Sequence, residues 1–274
     1  MKRKRSHTIL IHLALIIVVF LLLSPVMIAF TKSTQTRAQI YHYPPIFGFG
    51  SSMIQNYTAA WNDFHLGMYM RNSLLIAVVV TVAKTILSMF AGMAIVYFDF
   101  PLKNAVFYFI LFTLMMPTQV LIISLFNLVS NFGLGNTYAA LTMPFLASAT
   151  GVFLFRQHFS SISPNLADAA RVDGAGPLRF MWSVLIPMSR NTIAALGLIQ
   201  FIYMWNQYLW PLVIIRQNAR QVVQVGLRSM MAQQDVTNWG VVMAGAILAM
   251  LPPLVIFVVF QEQFTKGFVL GREK

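Results

Sequence analysis

Residues 163–175 read Ser-Pro-Asn-Leu-Ala-Asp-Ala-Ala-Arg-Val-Asp-Gly-Ala and form a polar segment between long apolar runs. Ser163 and Pro164 are typical of the N-cap and the first position of a helix. Gly174 predicts where that helix ends, because glycine readily takes the left-handed conformation. A helix of about two to three turns is too short to be stable alone in water. The segment therefore predicts a docking helix, with the Ala169-Ala170 pair as a surface that another backbone can approach closely.

The composition is that of an integral membrane protein. The chain has 274 residues, of which 58% are hydrophobic and only 9% are charged, whereas soluble domains carry about 25% charged residues. The net charge of +12 accompanies long uncharged runs, which favours a membrane protein over one that binds nucleic acid. The chain has no cysteine, and its five histidines show no metal-binding spacing. We therefore expect no disulfide and no metal site.

The apolar runs predict an all-α protein with six transmembrane helices. The spans expected from these runs are residues 9–30, 72–98, 105–126, 137–155, 187–210 and 239–260. The first run is too long for the core of a signal peptide, so we expect it to be retained as a transmembrane helix. The complete organisation is expected to be a basic cytoplasmic N-terminus at 1–8, a first helix at 9–30, an extracytoplasmic loop at 31–69, a transmembrane domain at 70–264 and a cytoplasmic tail at 265–274.

The distribution of basic residues predicts the orientation of these spans. Twelve of the 19 Lys and Arg residues fall in segments that would face the cytoplasm with both termini inside, and six fall in outer segments. The remaining one, Lys84, lies within the second span. This bias follows the positive-inside rule and predicts that both termini are cytoplasmic. It also puts the polar segment 163–175 in the cytoplasm, where its docking partner must be found.

The polar segment resembles a motif of a known family. Asp168-Ala169-Ala170, Gly174 and Ile186-Pro187 are similar to the Glu-Ala-Ala loop of permeases of ATP-binding-cassette (ABC) importers. Asp168 replaces the usual Glu, which keeps the charge and shortens its reach. The resemblance implies that loop 157–187 contains a coupling helix seated in a cleft of the ATPase. The residues it implies for this coupling are Asp168, Ala169, Ala170, Arg171, Asp173, Gly174 and Pro187.

A second stretch is similar to the carbohydrate-type permeases of that family. It is residues 205–212, Trp-Asn-Gln-Tyr-Leu-Trp-Pro-Leu. Within this family, the sequence as a whole most resembles the branch that imports sn-glycerol-3-phosphate. The resemblance implies the type-1 transmembrane fold in a bacterial cytoplasmic membrane, and import of sn-glycerol-3-phosphate or related glycerophosphodiesters by alternating access. A permease for a neutral sugar is the alternative within the family.

The resemblance also implies a multisubunit complex. The expected partners are a second homologous permease, two ATP-binding subunits, an extracytoplasmic solute-binding protein and the lipid bilayer. ATP and Mg²⁺ would bind to the ATPase, so this chain is expected to be a transport subunit with no cofactor and no enzymatic activity. The sequence agrees, because it contains no Gly-x-x-x-x-Gly-Lys-Ser/Thr phosphate-binding loop.

Five polar or aromatic residues are candidates for the translocation pathway. Lys84 is expensive to insert near the middle of a span, so it must face protein or a water-filled cavity. It would either lie near the path of an anionic substrate or pair with a polar group of the partner permease. Trp205, Asn206, Gln207 and Tyr208 end the fifth span and would either line the pathway or form an interfacial aromatic belt.

Two other classes of protein are less compatible with the sequence. An ion-driven secondary transporter usually carries carboxylates or histidines within its spans. All seven acidic residues of this chain fall in loops or at the ends of spans. An intramembrane enzyme would need a nucleophile with its base, or a metal cluster, and no such arrangement is present in the sequence.

Overall fold

A computed structural model describes residues 2–117, 120–232 and 237–269 of the chain. Within these residues every regular element is helical, and none is a β-strand. The α-helices are α1 Lys2–Ser33, α2 Arg37–Ile40, α3 Met53–Thr58, α4 Leu66–Tyr97, α5 Lys103–Thr113, α6 Ile122–Asn131, α7 Tyr138–Thr142, α8 Ala149–Ser160, α9 Pro164–Val172, α10 Pro177–Phe180, α11 Ile186–Met188, α12 Arg190–Trp205, α13 Leu209–Ile214, α14 Val223–Ala232 and α15 Trp239–Val269. Short π-helical turns at Ala59–Asp63 and Met181–Leu185, and 3₁₀ turns at Met143–Phe145 and Asn218–Arg220, complete them.

Three helices among the described residues are long and apolar enough to cross a membrane. They are His7–Ser33, Leu66–Tyr97 and Trp239–Gln263. Two bent helix pairs would raise the number to five if each pair is one span. The chain is therefore an all-helical, multi-pass membrane protein, as its composition predicts.

The described residues form two compact units. The first consists of Met1–Met68 with Val225–Leu251. In this unit α1 is exposed along its apolar length and held at its C-terminal end, where Gln35 is fully buried. The Gln35 amide donates to the carbonyl oxygens of Ile46 and Gly48, at 2.9 and 2.6 Å. The buried amide of Asn56 in α3 donates to the carbonyl oxygens of Ser33 and Gln35, each at 2.9 Å. These bonds fix the extracytoplasmic loop that the sequence predicts after the first span.

The second unit consists of Tyr69–Gln224 with Pro252–Lys274 and contains the segment 163–175. Its helices α4 and α8 approach each other closely at two glycines. A Cβ atom on Gly92 would lie 2.8 Å from the Cβ of Phe155, and one on Gly151 would lie 2.8 Å from the Cβ of Ser88. Neither position has room for a side chain, so α4 and α8 cross closely at Gly92 and Gly151.

The third span does not form the continuous helix predicted for residues 105–126. Helix α5 ends at Thr113, and α6 begins only at Ile122 and continues to Asn131, into the predicted loop. Pro117 lies in the gap. Proline has no backbone N–H to donate and disfavours helical geometry at the residue before it, so the helix ends instead of bending.

The fourth and fifth predicted spans are also broken. Helices α7 and α8 are separated after a 3₁₀ turn that contains Pro144, with a bend of 41°. Ser148 starts α8 by accepting a hydrogen bond from the Gly151 N–H at 3.1 Å. The fifth span was predicted to begin at Pro187, but α12 begins at Arg190, after a bend of 80°. It ends at Trp205 rather than at residue 210.

The sixth predicted span is confirmed as a helix. Helix α15 begins at Trp239, contains Pro252 and Pro253, and continues past Phe260 to Val269. The predicted cytoplasmic tail therefore begins as helix. Its last five residues, 270–274, lie outside the described part of the chain.

Candidate functional site

The boundaries of helix α9 agree with the sequence signals. It begins at Pro164 with Ser163 at the N-cap, although the Ser163 side chain makes no capping hydrogen bond. Gly174 has a φ of +72°. The N–H of Gly174 donates to the Arg171 carbonyl at 3.0 Å, and the N–H of Ala175 donates to the Ala170 carbonyl at 2.8 Å. This pair of bonds is the Schellman motif, which satisfies carbonyl groups at the helix end and requires the left-handed residue.

Helix α9 packs on the second unit through one narrow face. Ala167 is buried, and Ala170 is half-buried against the same apolar cluster. The other members of the cluster come mainly from α4, α8, α12 and the chain around α10: Met89, Met93, Phe155, Phe159, Ile162, Phe180, Met181, Leu185 and Leu196. The two alanines that the sequence predicts as a surface for close approach point in different directions, because Ala170 packs on the cluster while Ala169 is exposed.

The outward face of α9, which points away from the cluster, exposes apolar side chains. Val172 is 88% exposed and Leu166 is 40% exposed. Asp168 and Arg171 form an ion pair at 3.2 Å, with about two thirds of each side chain exposed. Asp173, at the C-cap, is also exposed. This face combines exposed apolar and charged groups, as expected for a surface that docks on another protein.

Pro187 lies apart from α9 in sequence but beside the same cluster. It is an exposed residue of α11, between Ile186, which packs against the cluster, and Met188. Helix α11 follows the π turn that buries Met181 and Leu185. The hydroxyl of Ser189 donates to the Leu185 carbonyl at 2.6 Å, where the chain bends before α12. The coupling residues predicted from the sequence therefore belong to two elements, α9 and α11, that pack against the same hydrophobic cluster.

Three of the predicted pathway residues line a cleft of about 430 Å³ between α12 and α13. Asn206, Gln207 and Tyr208 form the break between these helices, and Tyr203 also lines the cleft. Asn206 accepts a hydrogen bond from the Gln224 amide at 3.2 Å. We call this space the α12–α13 cleft.

Trp205 does not line this cleft. It is 1% exposed, and its ring stacks on Phe201 with the ring centroids 6.0 Å apart. The neighbouring Trp210 is also buried, and its indole N–H donates to the Ala140 carbonyl at 2.9 Å. Both tryptophans therefore pack inside the second unit, beside the helices that form the cleft.

Lys84 is buried in the second unit, with 6% of its surface exposed. Its ammonium donates to the Gln200 Oε1 at 2.9 Å and lies 5.4 Å from the centre of the Tyr203 ring. Gln200 in turn donates to the Ser148 hydroxyl at 3.4 Å. The sequence suggested a polar partner in a second subunit, and the structure provides one within the chain. Gln200 could have been noticed in the sequence as an amide within the apolar run of α12.

The chain matches a family model described as "Binding-protein-dependent transport system inner membrane component" over residues 84–269. This match covers more than half of the sequence, so the chain belongs to that family of membrane permeases. Membership confirms the interpretation as an ABC permease and argues against both an ion-driven transporter and an intramembrane enzyme.

The sequence is similar to named proteins over nearly its whole length. It is 38% identical over 275 residues to the sn-glycerol-3-phosphate transport system permease protein UgpE of Yersinia pestis bv. Antiqua (strain Antiqua), covering 98% of each chain. It is 40% identical over 266 residues to the protein of the same name from Rhizobium meliloti (strain 1021), covering 94% of each. The resemblance to the glycerol-3-phosphate branch is thus confirmed.

Solved structures support the fold. A chain of a bacterial ABC transporter involved in the import of the acidic polysaccharide alginate superposes with a TM-score of 0.84, covering 96% of this chain and 98% of that one at 22% identity. A second chain, from a bacterial alginate ABC transporter in complex with an alginate pentasaccharide-bound periplasmic protein, has a TM-score of 0.61 at 15% identity. At these identities the similarity establishes the architecture of an ABC importer permease and not its solute.

Proposed function

We propose that this chain is one permease subunit of an ABC importer that moves sn-glycerol-3-phosphate or a related glycerophosphodiester across the cytoplasmic membrane. The observation that carries the proposal is the identity of 38–40% with UgpE proteins over 94–98% of the chain. The type-1 transmembrane domain is expected at residues 70–264. Transport occurs by alternating access, with the solute arriving from an extracytoplasmic binding protein.

The proposed topology has six spans with both termini in the cytoplasm. The spans are α1, α4, the pair α5 and α6, the pair α7 and α8, helix α12 with its bent approach, and α15. Broken helices are tolerated in membranes where neighbouring helices satisfy the freed backbone groups. The positive-inside bias of the basic residues supports this orientation.

Helix α9 is the proposed coupling element. Its outward face, with Asp168, Ala169 and Val172, sits in a groove of the ATPase, and its inward face rests on the cluster that includes residues of α4 and α8. Because α4 and α8 cross closely at Gly92 and Gly151, a displacement of α9 moves both spans together. ATP and Mg²⁺ bind to two ATPase subunits, and this chain contributes no cofactor of its own.

The proposed solute pathway includes the α12–α13 cleft. Asn206, Gln207 and Tyr208 supply amide and hydroxyl groups that can hydrogen-bond a polar solute in an otherwise apolar span. The second half of the pathway comes from the partner permease. Trp205 does not face the cleft and stabilises the end of α12 by packing on Phe201.

Reconstitution of the full complex tests the proposal. The permease pair, the ATPase and the binding protein are incorporated into proteoliposomes, and ATP hydrolysis is measured with each candidate solute. We expect sn-glycerol-3-phosphate or glycerophosphocholine to stimulate hydrolysis and to accumulate inside. Stimulation by a neutral sugar, with none by either phosphate compound, would assign the chain to the neutral-sugar permeases.

A further inference from the structure

The Lys84 ammonium is a buried cation with only neutral partners. Within the described residues, these partners are the Gln200 amide oxygen and the Tyr203 ring, and no carboxylate pairs with it. An ammonium has three N–H donors, and the amide oxygen accepts from one of them. Buried charges are normally paired, because removal from water costs more than neutral contacts return. The described residues around Lys84 therefore supply no negative charge to balance the ammonium.

The groups around Lys84 come from three helices and form a polar site. Lys84 belongs to α4, Gln200 to α12 and Ser148 to the N-cap of α8. The chain Lys84–Gln200–Ser148 is connected by hydrogen bonds of 2.9 and 3.4 Å. Gln200 is itself 7% exposed. The Gln200 amide points its oxygen at the ammonium and its NH₂ at Ser148. A bound oxyanion would accept from the ammonium and the hydroxyl, and from the amide once that group turns its NH₂ toward the anion.

Tyr203 connects this buried site to the α12–α13 cleft. It lines the cleft and is 44% exposed, yet its ring centre lies 5.4 Å from the Lys84 Nζ. The ring therefore stands at the boundary between the cleft and the ammonium. Its electron-rich face interacts with the cation when no anion is present.

We propose that Lys84, Gln200 and Ser148 bind the phosphate group of the solute, and that Tyr203 is the gate which the phosphate displaces from the ammonium. This inference rests on the proposed function and specifies which residues select an anionic solute. Without solute, the Lys84 ammonium is in contact with the Tyr203 ring and the Gln200 oxygen. When solute enters the cleft, the ring turns away and the phosphate oxygens take its place.

The first test replaces the charge. In the reconstituted complex, Lys84→Met is expected to slow uptake of sn-glycerol-3-phosphate roughly 10- to 100-fold, the ratio expected from losing one hydrogen bond to a charged group. The loss should be larger at low solute concentration than at saturating solute, because the variant lacks a contact that binds the solute. Lys84→Arg keeps the cation and should restore most of the uptake. Lys103→Met, which removes a lysine paired with Asp99 at 3.3 Å, is the matched control.

Normal uptake by Lys84→Met, in a complex whose wild type imports sn-glycerol-3-phosphate, would overturn the inference and leave the proposed function intact. If the wild-type complex imports no phosphate compound, it is the proposed function that fails. Equal losses of uptake and ATP hydrolysis in both Lys84→Met and Lys84→Arg would also contradict the inference, because they indicate a structural role.

A second test examines the gate by binding alone and does not require transport. Tyr203→Leu removes the ring from the ammonium and keeps an apolar side chain. The purified complex carrying this variant, without the binding protein, is expected to bind radiolabelled inorganic phosphate at least about tenfold more tightly than the wild type. Adding Lys84→Met to Tyr203→Leu should abolish that gain. Unchanged phosphate binding by Tyr203→Leu would refute the gate.

Discussion

The end of helix α9 offers the sharpest test of the coupling proposal. Gly174 has a φ of +72°, and a Cβ atom added to it would meet nothing within 4 Å. Replacement by Ala therefore introduces no clash, and its cost is conformational only. A left-handed non-glycine residue costs roughly 1–2 kcal/mol, of which up to about 1 kcal/mol is recovered from the lower entropy of the unfolded chain. We take a net cost of about 1 kcal/mol for forming the helix end.

This cost should appear as weaker binding of the ATPase. Helix α9 has nine residues, too few to be stable without its contacts, so a frayed end must be re-formed on docking. A cost of about 1 kcal/mol corresponds to a roughly fivefold lower affinity. The assay titrates the ATPase against the purified permease pair in nanodiscs and measures the dissociation constant. Gly174→Asn should lose less than Gly174→Ala, because Asn tolerates the left-handed region.

The chain provides a matched control two residues away. Gly176 has a φ of −69° and also has open space around it, so Gly176→Ala should leave the ATPase affinity within about twofold. Equal affinities for Gly174→Ala and Gly176→Ala would refute the argument that the left-handed helix end is needed for docking. A larger loss for Gly174→Asn than for Gly174→Ala would refute the conformational explanation.

Three further predictions concern stability and assembly. Gly92→Leu forces a side chain against the Phe155 backbone and should lower the permease melting temperature in detergent by several degrees, as overpacking typically costs about 1–3 kcal/mol; an unchanged melting temperature would contradict the close contact of α4 and α8. Trp210→Phe leaves the buried Ala140 carbonyl without the indole donor and should lower the free energy of unfolding, measured by urea titration, by about 1–3 kcal/mol. A decrease of less than about 0.5 kcal/mol would contradict this prediction. Asp168→Asn breaks only an exposed ion pair and should leave the melting temperature unchanged, whereas any loss of ATPase affinity would identify Asp168 as a docking contact.

The local signals at α9 were readable from the sequence because they depend on neighbouring residues only. Proline at the first helical position and glycine after the last act through their own backbone preferences. The direction in which Ala170 points was not predictable, since it depends on where the cluster lies. That cluster assembles residues from helices that are far apart in the sequence.

The breaks in the predicted spans were not predictable for a similar reason. Pro117 and Pro144 are visible in the sequence, but Pro252 and Pro253 lie inside the continuous helix α15. Whether a proline bends a membrane helix or ends it depends on which neighbours satisfy the freed carbonyl groups. Hydropathy carries no information about those neighbours.

The environment of Lys84 was only partly predictable. Its cost in a membrane predicted a polar partner, and the structure provides one in Gln200, 116 residues further along the chain. Burial of Trp205 beside the exposed Asn206 is another feature that sequence alone did not resolve. Adjacent residues at a helix break can face opposite directions, and the direction is determined by packing.

Photo-cross-linking from a single cysteine tests the docking of α9 most directly. The chain has no native cysteine, and Val172 is 88% exposed on the outward face. A benzophenone attached to Val172→Cys in the assembled complex should form an adduct with the ATPase subunit. The same probe on Tyr43→Cys, at a residue that is 91% exposed in the predicted extracytoplasmic loop, should form none. An intact complex in which Val172→Cys gives no ATPase adduct, or in which both positions give equal yields, would contradict the proposed coupling.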